Sequence, residues 1–212
     1  MSPATVEPIA VIPSGFAALD VALGIGGYPR GRVIEVFGPN AEAVSRICGA
    51  AIVEAQRQGK VVALVDGEHR SPIRGVDLAA LLVAQPDEAE QALGIVEQFA
   101  RSGVASLIVL DSIASYTATE DYHGLHARLM SRALRTLTAI ASRTYTTVLI
   151  ANQIRQKIGV TFGNGEVSTG GNALKYYSSV RLDVRVIEGD RVQIRVVKNK
   201  YAPPFQTVEV AL

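Results

Sequence analysis

Residues 31–45 read GRVIEVFGPNAEAVS. Val33 to Phe37 has the length and apolar character of a buried strand. From Ala43 onward apolar residues recur at helical spacing. Between them lies Gly38-Pro39-Asn40. A glycine turn joining a strand to a helix is where a phosphate-binding loop sits, because the helix N-terminus offers unpaired N–H groups to an anion. Such a loop follows the pattern G-x-x-x-x-G-K-[ST], in which Lys reaches the outer phosphates and the hydroxyl holds Mg²⁺. Here Gly38 and Ser45 keep the first and last positions, while Ala43 stands at the second glycine and Val44 at the lysine. A branched apolar side chain replaces the one cation that tracks a transferring phosphoryl group. The expectation is a degenerate loop without competent ATP hydrolysis and without a bound cofactor.

Outward from the loop, apolar runs at Val61 to Val65, Leu81 to Ala84, Leu107 to Leu110 and Thr147 to Ala151 read as further strands. They alternate with helical patterns over Ala43 to Gln58, Glu88 to Arg101 and Leu125 to Ser142. Strand alternating with helix predicts an α/β fold with a mainly parallel sheet covered on both faces. Beyond Ala151, Ser179 to Ile187, Arg191 to Lys198 and Thr207 to Val210 alternate polar and apolar residues. Glu188-Gly189-Asp190 supplies a hairpin turn, so an antiparallel extension is expected at the C-terminal side.

The chain has 212 residues and a net charge of +1, which fits one folded domain and gives no bulk electrostatic footprint for nucleic acid. Any basic surface must be local. A single Cys48 in an apolar helical stretch reads as a small buried hydrophobe. No apolar run reaches the roughly 18 residues a membrane span needs, and an unanchored cytoplasmic protein is expected. His69, His123 and His126 are not placed as a metal triad, and no metal site is expected.

Flanking motifs extend the pattern. Residues 12–32 read IPSGFAALDVALGIGGYPRGR, and VDGEH follows at 65–69. QPD at 85–87, EQAL at 90–93, ARSG at 100–103 and LIVLDS at 107–112 come next. NQIRQKIG at 152–159, TGGNALK at 169–175 and VKNK at 197–200 complete the set. In combination these resemble the core of the RecA recombinase family over about residues 12 to 210. The resemblance implies a RecA-like P-loop NTPase core. A single core domain over 1–212 is expected, lacking the N-terminal polymerisation helix and the C-terminal accessory domain, and with them a stable filament.

Carried over by position, the resemblance makes Asp111 the acid that supports Mg²⁺ through water. Glu68 is the carboxylate that activates the attacking water, and Gln153 is the sensor of the terminal phosphate. Lys198 and Lys200 match a pair that reaches a neighbouring subunit. Each also has a structural reading, as strand-end partners or solvated charges. Where the family carries an adenine-clamping stretch, this chain has the shorter Arg70-Ser71-Pro72-Ile73-Arg74-Gly75.

The family's second DNA-facing loop corresponds to Ile154 to Asn172. It keeps Arg155, Lys157, Phe162, Asn164, Gly170 and Gly171, a set suited to tracking a phosphate backbone. Its first loop, Tyr116 to Gly124, is shortened, and Arg128 on the following helix matches a DNA-facing position. The lost nucleotide site is similar to that of degenerate RecA-like proteins known as ImuA, which work in damage-induced translesion mutagenesis. The resemblance thus implies a catalytically inactive accessory in bacterial DNA repair, with an error-prone polymerase subunit or RecA as its protein partner. The alternatives are an ATP-independent, weak single-stranded DNA binder and a regulator that caps RecA filaments.

Overall fold

The computed structural model describes residues 9–69, 74–116, 123–156, 166–168 and 172–212. Its main sheet contains β3 (Val33–Gly38), β4 (Val62–Asp66), β5 (Leu81–Ala84), β6 (Leu107–Asp111) and β7 (Thr147–Gln156). To these are added β8 (Glu166–Ser168), β9 (Val180–Glu188), β10 (Arg191–Asn199) and β11 (Thr207–Ala211). The strand order is β11-β10-β9-β3-β7-β6-β4-β5, with β8 antiparallel on β7. The strands from β9 to β5 run parallel, and β10 and β11 close the sheet antiparallel. Among the described residues, five α-helices accompany the sheet: α1 (Ala17–Ala22), α2 (Ala41–Arg57), α3 (Ala89–Ser102), α4 (His123–Thr144) and α5 (Ala173–Tyr177).

Strand periodicity divides the core in two. Ile34, Val36, Val62, Leu107, Val109, Leu149 and Ala151 point to the α2 side, where Ile47, Cys48, Ala51 and Ile52 cover them. Val33, Ala63, Val65, Ile108, Leu110, Val148 and Ile150 point to the opposite side, under α3, α4 and α5. The predicted α/β sheet with both faces covered is therefore the observed one. Cys48 is fully buried, and burial followed by the Asp111 carboxylate pushes its thiol well above the ordinary range.

Three details differ from the sequence reading. The Ser179 to Ile187 segment is the junction of the sheet rather than simply antiparallel, since β9 pairs parallel with β3 and antiparallel with β10. The short strand-like Ile9 to Ile12, which reads as able to add to a neighbour's sheet edge, instead pairs within the chain: β1 (Val11–Ile12) lies antiparallel to β2 (Tyr28–Pro29). Helix α2 begins at Ala41 rather than Ala43, because the Asn40 side chain caps it by accepting the Ala43 N–H at 2.8 Å. The hairpin turn is observed, with Gly189 at φ 55° and Asp190 paired to Arg46 at 2.9 Å.

Candidate functional site

Parallel sheets place ligand chemistry at the carboxyl ends of their strands, and that edge gathers the marked residues. Gly38 at the end of β3 is in register with Gln153 on β7, and Asp66 at the end of β4 is in register with Asp111 on β6. Glu68 follows β4 by two residues. One of its oxygens, Oε1, accepts the Ser112 hydroxyl at 2.8 Å and the Gln153 amide at 3.1 Å. Three strand ends thus converge on one carboxylate. Beneath it, Asp66 accepts the Glu68 N–H at 3.1 Å and the Gln85 amide at 3.0 Å. The Asp111 carbonyl accepts the Gly67 N–H at 2.8 Å.

The loop after β3 is tightly drawn. The Asn40 side chain takes the Ala43 N–H, and the Asn40 carbonyl takes the Val44 N–H at 3.2 Å. Val44 is 1% exposed and belongs to the core cluster on the α2 side, with Ala43 beside it. Gly38 is required by close approach. A Cβ there would lie 2.2 Å from the Val184 carbonyl oxygen and 3.3 Å from a Val44 methyl. Ser45 and Asp111 are both buried.

A second layer was not singled out from sequence. Glu35, in the middle of β3, is 0% exposed. It pairs with the Arg181 guanidinium from β9 and accepts the Asn152 side-chain amide at 2.9 Å. The Asn152 side-chain oxygen in turn accepts the Gln153 N–H at 2.8 Å. A continuous chain of hydrogen bonds therefore runs from Arg181 through Glu35, Asn152 and Gln153 to Glu68. The Arg181 guanidinium also lies over the Phe37 ring, 4.6 Å from its centroid. An acid inside an apolar strand needs a partner, and that was the signal available in the sequence.

Tyr116 covers the β4 edge. Its hydroxyl donates to the Pro86 carbonyl at 3.2 Å, and a Cβ at Gly67 would come within 2.4 Å of that hydroxyl. Burial first, then the Asp66 and Asp87 carboxylates, pushes the phenol up to about 12. The folded phenol holds its proton more tightly than the unfolded one, whose pKa is about 10. The associated stability is complete below about pH 10 and is lost as pH rises through the folded value. Urea midpoints are therefore expected to fall more between about pH 9 and about pH 11 in the native chain than in Tyr116→Phe. Equal falls would mean that Tyr116 titrates as an ordinary surface tyrosine.

The remaining marked residues are spread more widely. Lys198 donates to the Lys175 and Tyr176 carbonyls at 2.7 and 3.0 Å, capping the end of α5, while Lys200 is exposed. Burial, then the charges of Lys200 and Arg181, lowers the Lys198 pKa against the opposing pull of Glu35. Arg128 is exposed on α4. Arg155 lies in β7. Lys157, Phe162, Asn164, Gly170 and Gly171 fall outside the described residues, as do Arg70, Ser71, Pro72 and Ile73. Among the described residues no group of three or more His, Cys, Asp or Glu side chains could hold a metal ion, and no helix is long and apolar enough to cross a membrane.

Fold and site together define a class: parallel α/β cores that carry a phosphate-loop position between strand and helix, with acids and an amide at the neighbouring strand ends. The profile of the RecA N-terminal domain matches residues 2–212. Protein RecA of Treponema denticola is 48% identical over 96% of this chain and 55% of its own length. Protein RecA of Desulforapulum autotrophicum is 45% identical over 98% of this chain and 66% of its own. For Protein RecA of Amycolatopsis mediterranei the identity is 49%, covering 95% and 64%. The chain belongs to the RecA family. It spans a little over half to about two thirds of the length of these relatives.

Proposed function

We propose that this chain is a RecA-family core that does not turn over ATP and serves DNA repair as an accessory, through contact with a partner protein. The observation that carries the reading is the loop: Val44 is buried in the apolar core, and the Ala43 and Val44 N–H groups are taken by Asn40. A triphosphate needs those donors and a cation beside them. The residues present do not fit it. No step through a bound nucleotide follows from this geometry.

The retained acids support the same reading. Glu68 engages Ser112 and Gln153 in a closed set of hydrogen bonds that ties three strands together. That is a structural use for a side chain whose counterpart in the family would orient a water. The partner favoured by the family relationship is another protein of DNA repair, an error-prone polymerase subunit or RecA itself. Pull-down with the full chain distinguishes the two.

Titration calorimetry with ATP and Mg²⁺ is expected to show no micromolar binding, and steady-state assays no phosphate release. Micromolar binding with turnover that Glu68→Gln abolishes would overturn the proposal.

A further inference from the structure

The two ends of the sheet differ in charge. The carboxyl ends of the strands carry Asp66, Glu68 and Asp111. The opposite end is formed by the chain as it enters β3, β4, β6 and β7, over residues 28–32, 57–61, 101–106 and 142–147. These four stretches hold six Lys and Arg and no Asp or Glu. They are continuous across the sheet. The Val61 carbonyl accepts the Ser106 N–H at 2.9 Å, and the Ala105 carbonyl accepts the Thr146 hydroxyl at 3.0 Å. Arg30 donates through Nε to the Tyr145 carbonyl at 3.2 Å. With the strands in the order β3-β7-β6-β4, the edge from Arg30 to Val61 crosses about 14 Å at the usual strand spacing.

Three apolar side chains stand on that edge: Val61, Val104 and Tyr145, exposed by 40%, 59% and 64%. Tyr145 is unfavourable on two counts. It leaves a ring in water, and it holds φ at 57°, where glycine or asparagine would strain the backbone less. A residue kept against both preferences points to a use for its side chain. The cations beside these groups are not all consumed within the fold. Arg57 and Arg101 are engaged by Glu54 and Glu97 of their own helices, at 3.8 and 2.7 Å, whereas Arg30, Lys60 and Arg143 have no acidic partner among the described residues. Cations in the last turn of a helix offset its dipole, which accounts for Arg57, Arg101 and Arg143. It accounts neither for Arg30, which lies in no helix, nor for the exposed apolar groups.

We propose that this edge receives an acidic segment of a partner protein, whose carboxylates engage Arg30, Lys60 and Arg143 and whose apolar side chains pack on Tyr145, Val104 and Val61. An apolar centre with charged groups around it is the anatomy of a protein interface, and Tyr and Arg are the residues that carry most binding energy there. Opposite charge on the partner steers it to this edge and away from the acidic one. The span of about 14 Å suits four or five extended residues. A nucleic acid is disfavoured, because valines neither stack on bases nor neutralise phosphates. The inference rests on the reading that the chain acts through a partner protein, and it gives that contact a surface and a chemistry.

The test is fluorescence anisotropy of the full chain with a labelled peptide, Asp-Leu-Asp-Phe-Asp-Leu-Asp, together with amide chemical shifts of the chain on titration. Saturable binding that weakens with salt is expected, with the largest shifts at Val61, Val104 and Tyr145. Lys60→Ala with Arg143→Ala is expected to weaken binding about tenfold or more. Tyr145→Asn should weaken it about fivefold or more without lowering the thermal midpoint, since asparagine tolerates the left-handed backbone. A tyrosine with a purely structural role would give the reverse, a lower midpoint and unchanged affinity. A peptide with Asn for Asp, and one with Ser for Leu and Phe, should each bind about tenfold more weakly or less. The proposal is overturned if the native chain does not bind the acidic peptide at low salt, or if both variants bind it as the native chain does. Shifts confined to the carboxyl ends of the strands, or displacement of the peptide by oligothymidylate at equal concentration, would also overturn it. None of these outcomes bears on the ATP measurements, and ATP turnover would sink the earlier reading without altering peptide binding.

Discussion

Arg181→Met is expected to cost about 3–5 kcal/mol of unfolding free energy, because it leaves the buried Glu35 carboxylate without its counter-charge. The carboxylate would keep only the Asn152 amide, a neutral donor at 2.9 Å. Double substitution, Glu35→Gln with Arg181→Met, is expected to recover most of that loss, since removing both charges avoids the uncompensated ion. Urea denaturation of the native chain, the two single variants and the double variant closes the cycle. A loss under about 1 kcal/mol for Arg181→Met would place the pair with ordinary surface ion pairs. The same cycle bears on the site, since the Asn152 side chain that donates to Glu35 also holds the Gln153 N–H.

Gly38→Ala should produce a loss of about 3 kcal/mol or more, at the severe end of overpacking. The added methyl meets a backbone carbonyl of the adjacent strand at 2.2 Å, and a backbone within a sheet cannot swing aside as a side-chain tip can. Gly94→Ala is the matched control. Gly94 lies exposed inside α3 with nothing within 4 Å of its Cβ position. Its replacement is expected to raise stability by about 0.4–1 kcal/mol through the lower entropy of the unfolded chain. If both substitutions shift the urea midpoint equally, the close approach of β3 to β9 is not what selects glycine at position 38.

The long elements were legible because their apolar periods are long and unbroken. The predicted α3 range, Glu88 to Arg101, differs from the observed one by a single residue at each end. The two-residue β2 and the five-residue α5 were not legible: they have no period to read, and their tertiary pairings define them. The observed β7 runs to Gln156, past the apolar stretch that marked it, because its polar end pairs with Gly38 and with β8. At the site, the loop pattern marked Gly38 and Val44 and the family resemblance marked Glu68, Asp111 and Gln153, which lie at or next to neighbouring strand ends. The connection from Glu35 to Arg181 spans 146 residues of sequence and depends on β9 lying beside β3. No local pattern encodes that adjacency. The use of Lys198 was equally hidden, because it depends on where the last carbonyls of α5 come to rest.

The close fit of Tyr116 over Gly67 also constrains how this lineage can change. An alanine at 67 would press on the Tyr116 phenol that bonds the Pro86 carbonyl, since the new methyl would come within 2.4 Å of its hydroxyl and the ring would have to shift. Substitutions at the two positions are therefore not independent events. A larger residue at 67 calls for the Tyr116 ring to swing aside or for a smaller residue at 116, so the two positions are expected to vary together.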